Sequence, residues 1–237
     1  DTLYFGGGTP SVLYPGAIRT IIEALDEASG NAAAFEECTI EVNPDDIVKR
    51  GSSYARSLLK AGINRVSMGV QSLDDSILRW MNRRHDAAQA REAVRILREA
   101  GVGNISIDLI FGISGVSEQQ WRETVRQAIH IGDGKNVPDG IGNDRAAAGA
   151  PSAFGKPQHI SAYQLSIEEG SALEKMIADG RYAEASEEEC RRQYEILCEE
   201  LSAADPGKGS EVLGPRLLGD ERSSPDQRAE DEFEHSR

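Results

Sequence analysis

From residue 1 to about 131, short β-rich runs alternate with amphipathic helical runs, and no other feature limits the fold so tightly. The strand candidates are "TLYF" (2–5), "CTIEVN" (38–43), "RVSMGV" (65–70) and "NISIDLIF" (104–111). In "DAAQAREAVRILREAG" (86–101), Ala90, Ala93, Val94, Leu97 and Ala100 recur at helical spacing, and Gly101 supplies the stop. In "SEQQWRETVRQAIHI" (117–131), Ser117 and Gln120 form a capping box ahead of a buried stripe of Trp121, Val125, Ala128 and Ile129. Strands alternating with helices of this size predict βα units and a parallel sheet. A weak internal repeat narrows the choice. "LKAGINRVSMGV" (59–70) matches "REAGVGNISIDL" (98–109), and Gly62 and Gly101 stand 39 residues apart, the length of a βα unit with one extra helical segment. A helix that must stop and turn into a strand wants glycine in the left-handed seat after its last turn. Repetition of that device favours a parallel (β/α) barrel, whole or partial, and full eight-unit barrels take about 250 residues.

The remaining chain divides by composition. Residues 132–157 are rich in Gly, Pro, Ala and Asn without periodicity and are expected to be a flexible insertion. "HISAYQLS" (159–166) alternates in character as a strand does. Two helices are predicted after it, in "SALEKMIADG" (171–180) and "SEEECRRQYEILCEELSAA" (186–204). Residues 205–237 are charged and rich in Gly, Pro and Ser, and are expected to be disordered or poorly packed. One unit over 1–204 with a tail is therefore the expected organisation. With 39% hydrophobic and 28% charged residues the chain has the makings of a packed core. The net charge of −14 argues against nucleic acid or an anionic membrane as main partner, and no apolar run is long enough to span a membrane. Three cysteines at scattered positions, Cys38, Cys190 and Cys198, predict no disulfide framework and a reducing, cytoplasmic setting. A strand starting at the second residue, with no Met before it, suggests a piece of a longer chain.

"YFGGGTPS" (4–11) poses a steric question, because glycine costs backbone entropy and three in succession need a cause. The expected cause is a backbone cradle that something approaches closely. A phosphate-binding P-loop fails, since no Lys-Ser or Lys-Thr follows. A dinucleotide fingerprint is defective: Ser11 stands in the third glycine's place, and Asp26 lies in a helical pattern where an acidic strand end is required. A tight turn without chemistry and a cradle for another charged head group stay open. Polar residues gather at other strand ends: Glu41 before Pro44, Gln71 after "RVSMGV", and Asp108 inside the apolar run "ISIDLIFG". A carboxylate in a buried strand needs a partner or a ligand. The C-terminal rim of a parallel barrel is where ligands bind. Carboxylates and amides accept from hydroxyls and ammonium, and Arg83 in "NRRHD" offers a planar fork for a carboxylate.

In order, "GGGTPS", "EVNP", "GVQS…NRRH" and "ISIDLIFG" resemble the radical S-adenosylmethionine (SAM) proteins related to oxygen-independent coproporphyrinogen III oxidase, and "HISAYQLSIEEGSAL" resembles the haem chaperone branch, HemW. The likeness covers about residues 2–204 apart from 132–157. It implies a partial barrel of the radical SAM type, with a helical C-terminal segment, that binds SAM. It further implies that the backbone of Gly7, Gly8 and Thr9 meets the methionine ammonium, with Glu41 facing the same amine. Arg83 then meets the methionine carboxylate, Gln71 and Asp108 the ribose, and Ser166 the adenine through its backbone. Haem or a porphyrin is the implied partner, with a haem-accepting protein beyond it, and a [4Fe–4S] cluster is implied for the intact family member. The family's Cys-x3-Cys-x2-Cys loop is not among these residues. No histidine pairs with a cysteine at metal-site spacing, so metal ligation by this chain, and radical chemistry by it alone, are not expected. The alternatives are an oxidase of the decarboxylating branch and a Rossmann-type nucleotide-binding protein.

Overall fold

The computed structural model describes residues 2–30, 35–132 and 156–204. Of the expected insertion over 132–157, residues 133–155 lie outside the described residues, as does the expected tail over 205–237. Five strands, β1 (Thr2–Phe5), β2 (Glu37–Val42), β3 (Arg65–Gln71), β4 (Asn104–Phe111) and β5 (His159–Gln164), form one all-parallel sheet in sequential order. With its helices this sheet makes a half-barrel. Among the described residues the strand order nowhere reverses, so they offer no crevice of the kind dinucleotide-binding sheets use.

Helix α1 (Pro15–Ala28) follows β1, and α2 (Pro44–Lys60) follows β2. Two helices, α3 (Asp75–Trp80) and α4 (Ala87–Ala100), separate β3 from β4, which accounts for the extra length in the 39-residue repeat. α5 (Glu118–Ile129) follows β4, and α6 (Ala172–Ala178) and α7 (Glu187–Ala204) follow β5. The strands have one dry face. Cys38, Ile40, Val66, Met68, Val70, Ile105, Ile107 and Leu109 are buried beneath the helices, where Leu58, Ala90, Val94, Leu97 and Val125 meet them. Burying such side chains contributes about 1.5–3 kcal/mol each and is the main term holding the sheet to its helices. α1 is the thin part of this layer: Ile18 is its one buried residue, and Ile21 and Leu25 are exposed.

The expected terminators are present. Gly62 and Gly101 have φ of 105° and 101°. Each closes its helix with the same pair of bonds: Ile63 N donates to Leu58 O at 3.1 Å and Gly62 N to Leu59 O at 3.1 Å, while Val102 N donates to Leu97 O and Gly101 N to Arg98 O, both at 3.0 Å. This six-to-one and five-to-two pattern satisfies the last carbonyls and turns the chain into the next strand. The capping box of Ser117 and Gln120 forms at the start of α5, and an equivalent box of Asp86 and Gln89 starts α4. α7 docks through polar contacts as well as packing. Trp121 Nε1 donates to Gln193 O at 2.6 Å, and Gln193 Oε1 accepts from Gly112 N at 2.7 Å, tying α7 to the end of β4. Among the described residues no helix is long and apolar enough to cross a membrane.

Candidate functional site

The chain leaves β1 through the glycine run at the C-terminal rim of the sheet. Gly7 and Gly8 take φ of 80° and 56°, a backbone region that side-chain-bearing residues resist. A Cβ at either would meet no protein atom within 4 Å. Within the protein, backbone handedness is what requires glycine at these two positions, and the space beside them is open on the side from which a ligand would approach. No α-helix begins at the run: a single 3-10 turn, Pro10–Val12, comes first, and α1 opens at Pro15. A phosphate held on a helix N-terminus has no seat in that geometry. The turn is pinned to α2 by Ser11, whose Oγ donates to Asp46 Oδ2 at 2.8 Å and whose carbonyl accepts from Tyr54 OH at 2.7 Å. Glu41, at the end of β2, ties the run from the other side. Its Oε2 accepts the Gly7 N–H at 3.0 Å and its Oε1 accepts from Tyr4 OH at 2.8 Å. A cationic group arriving here would meet a fixed carboxylate.

β3 ends irregularly. Its register with β4 breaks between Met68 and Gln71, and Gln71 adopts φ of 66°. That conformation brings its amide back over Gly69, where an added Cβ would stand 2.9 Å from Gln71 Nε2 and 3.3 Å from Arg83 Nη2. Gly69 is therefore the position where crowding does demand glycine. Arg83 reaches the rim because α3 ends as α2 and α4 do. Asn82 takes the left-handed seat with φ of 54°, and Arg83 N donates to Leu78 O at 2.9 Å. Asparagine is the usual substitute for glycine in that seat. The Arg83 guanidinium donates to Asn43 Oδ1 and to Gly69 O, each at 3.3 Å, and burial pulls its pKa below the usual guanidinium value. Arg83 is thus a held cation at the rim and not a solvated one.

Asp108 faces the concave side of β4. Ser67 Oγ on β3 donates to it, 3.3 Å from Oδ1 and 3.4 Å from Oδ2. Burial pushes Asp108 up to about 6, a shift the bonds from Ser67 and Ser161 oppose and the charge of Glu41 adds to. Partial burial, and then the carboxylate of Glu41, push Tyr4 up to about 12, so its hydroxyl stays a donor throughout the neutral range.

Glu41, Gln71, Arg83 and Asp108 border one cavity of about 560 Å³. That volume is within the range of small-molecule and cofactor sites. Gly8, Thr9 and Glu41 line it from β1 and β2, Gln71 and Arg83 from the end of β3, and Asp108 and Ser166 from the far side. Gly7 is not in the lining, since its amide is turned to Glu41. Asn43, Ser67, Gly69, Tyr163 and Glu168 also line the cavity and had not been picked out from sequence. Strict alternation along "ECTIEV" and "RVSMGVQ" would have flagged Ser67 and Gly69, because every second residue of a strand shares one face. The donor set suits a zwitterion joined to a diol: carboxylate and amide acceptors for ammonium and hydroxyls, and one guanidinium for a carboxylate. It does not suit an iron–sulfur cluster. The described residues hold no grouping of three metal-ligating side chains, and the three cysteines are free and line no part of the cavity.

Comparison with known proteins matches residues 1–128 to the radical SAM superfamily. "Radical S-adenosyl methionine domain-containing protein 1, mitochondrial" of Danio rerio is 30% identical over 200 residues, 84% of this chain and 39% of the relative. "Heme chaperone HemW" of Bacillus subtilis is 25% identical over 202 residues, 85% of this chain and 46% of the relative. The chain thus spans less than half the length of these curated relatives. Among solved structures, the coproporphyrinogen III oxidase HemN of Escherichia coli, described as a radical SAM enzyme, shares the fold with a TM-score of 0.60 at 21% identity, over 86% of this chain and 40% of that one. With a half-barrel of parallel strands, a polar cavity at its C-terminal rim and a family match over more than half its length, this chain belongs to the radical SAM superfamily.

Proposed function

We propose that this chain is the SAM-binding part of a haem chaperone of the HemW type. The observation that supports the reading most directly is the rim cavity, where Glu41, Gln71, Arg83 and Asp108 converge from separate elements. On this reading Glu41 receives the methionine ammonium, Arg83 holds the carboxylate, Gln71 and Asp108 take the ribose hydroxyls, and the backbone at Ser166 meets the adenine. Gly7, Gly8 and Thr9 shape the turn that brings Glu41 to the amine. In an intact family member SAM beside a [4Fe–4S] cluster supplies radical chemistry; the residues of this chain bind and orient it. Haem or a porphyrin is the proposed partner, passed on to a haem-accepting protein. Three unpaired cysteines agree with a reducing compartment such as the cytoplasm, although the Danio rerio relative carries a mitochondrial name. The chaperone branch is favoured over the decarboxylating oxidase by the curated HemW relatives, whereas the oxidase structure shares the fold alone.

The test is ligand stabilisation of the 237-residue chain by SAM and, separately, by NAD. At a hundredfold excess over Kd a ligand adds about 2.7 kcal/mol, which for a chain of this size raises Tm by roughly 5–10 °C. SAM is expected to give that shift, and Arg83→Glu to reduce it strongly. Stabilisation by NAD and not by SAM would overturn the assignment.

A further inference from the structure

The first glycine of the run, Gly6, is not explained by its backbone, for it is absent from the positive-φ positions. What excludes a side chain there is a neighbour two residues back. A Cβ on Gly6 would stand 2.5 Å from Tyr4 Cε1, 2.9 Å from Tyr4 Cδ1 and 3.1 Å from Glu41 Oε1. No Cβ sits that close to a ring carbon, so the Tyr4 ring takes the space a side chain at 6 would need. Packing does not account for the ring's course, since Tyr4 is 54% exposed. Its hydroxyl does: it lands 2.8 Å from Glu41 Oε1 while the Gly7 amide holds Oε2 at 3.0 Å. Both oxygens of Glu41 are thereby clamped by donors three residues apart, Tyr4 in β1 and Gly7 in the turn after it, and the carboxylate loses its freedom to rotate into solvent. Tyr4 itself does not line the cavity.

We propose that Tyr4 is the positioning residue for Glu41, its ring laid across Gly6 so that the hydroxyl fixes the carboxylate that receives the ligand's ammonium. The inference rests on the reading that the cavity binds SAM. It makes Gly6 a glycine for the sake of Tyr4, separately from the handedness that governs Gly7 and Gly8. A hydrogen bond to a charged group at a partly exposed site makes the expected effect about five- to tenfold in affinity.

Isothermal titration of the 237-residue chain with SAM and with 5′-methylthioadenosine, which keeps the nucleoside and lacks the amino-acid group, separates the possibilities. Tyr4→Phe removes one oxygen atom and keeps the ring, so folding is not at stake. It is expected to weaken SAM about five- to tenfold and to leave 5′-methylthioadenosine unchanged. Glu41→Gln is expected to show the same selectivity, with Tyr4→Phe adding nothing on top of it. Gly6→Ala is expected to weaken SAM in the parent by pushing the ring off Glu41, and to weaken it less in a Tyr4→Ala background, where only the 3.1 Å approach to Glu41 Oε1 remains. The proposal is overturned if Tyr4→Phe binds SAM like the parent, or weakens both ligands alike. If the parent binds no SAM, the reading of the cavity fails, and this inference fails with it.

Discussion

At the scale of single residues, Asp108 carries the sharpest consequence. Its carboxyl titrates near 6 in the folded chain against an ordinary value of 3.8. Between those two values the folded state keeps a proton that the unfolded state has released, so stability falls as pH rises through that window and stays lower above it. The cost of the ionised, buried form is on the order of 3 kcal/mol. Asp108→Asn removes it, so the variant is expected to unfold at higher urea than the parent at pH 8 and to lose that advantage near pH 4. Ligand binding runs the other way. An ionised carboxylate accepts from two hydroxyls, whereas a protonated one must donate from one oxygen. The parent's affinity for SAM is expected to climb as pH rises through about 6, and that of Asp108→Asn to be weaker and flat; equal pH slopes in the two proteins would refute the role. Asp108 was legible from sequence because a carboxylate inside "ISIDLIFG" contradicts its surroundings. Tyr4 was not, because nothing in the order of residues says that its ring turns along the chain onto Gly6. The run of three glycines likewise reads as one device and is two: crowding at the first, handedness at the other two.

At the scale of elements, the helix-stop device was legible where glycine fills the left-handed seat and hidden where Asn82 does. The extra helical segment was legible in the length of the repeat and Arg83 in the resemblance, but the turn at Asn82 that carries Arg83 to the rim was not. The two glycine copies differ in one respect that can be measured. A Cβ on Gly62 would meet Ile22 Cδ1 at 3.3 Å, while one on Gly101 would meet Leu59 Cδ1 at an ordinary 3.7 Å. The left-handed conformation alone costs a non-glycine residue about 1–2 kcal/mol. Gly101→Ala is expected to lose about that much, and Gly62→Ala more, as shifts of the urea midpoint without a change in slope and without loss of SAM affinity. The end of β3 behaves oppositely. Gly69→Ala places a Cβ against the amide of Gln71 and the guanidinium of Arg83, the far ends of two long side chains that can be displaced. Stability is expected to change little, while SAM affinity drops about tenfold or more as both partners leave their places. A large stability loss with unchanged affinity would show that Gly69 serves the fold instead. The break in register there and the positive φ of Gln71 carry no sequence signal, since glutamine has no preference for that backbone region.

At the scale of the whole molecule, the half-barrel has a core on one side only. Its convex face is apolar and covered by helices, and its concave face carries Thr39, Glu41, Arg65, Ser67, Ser106, Asp108 and His159. Parallel sheets are usually buried on both faces and read as unbroken apolar runs. The alternation in β2, β3 and β4 departs from that rule, and it marks the concave face as one that meets polar groups or water. Two of the three cysteines, Cys38 and Cys190, sit on the wrong side of this division for a cluster. Cys38 is buried on the convex face of β2, where burial pushes its thiol up to about 11. Cys190 lies behind Gly112, 3.2 Å from where a Cβ there would be, and burial raises its thiol as well. Cluster iron is held by thiolates, so these two thiols, raised by burial and turned into packed interiors, are poor ligands, and Cys198 on α7 is left without a second cysteine to share a cluster. Anaerobic treatment of the 237-residue chain with iron and sulfide is accordingly expected to leave no stoichiometric cluster after desalting, by iron and sulfide analysis and visible absorbance. The same preparation is expected to retain its thermal shift with SAM, because the groups proposed to hold the ligand are all on the concave rim. Four irons per chain, lost on Cys190→Ser or Cys198→Ser, would mean that α7 rearranges to bind metal and that the division between the two faces of the sheet does not hold in solution.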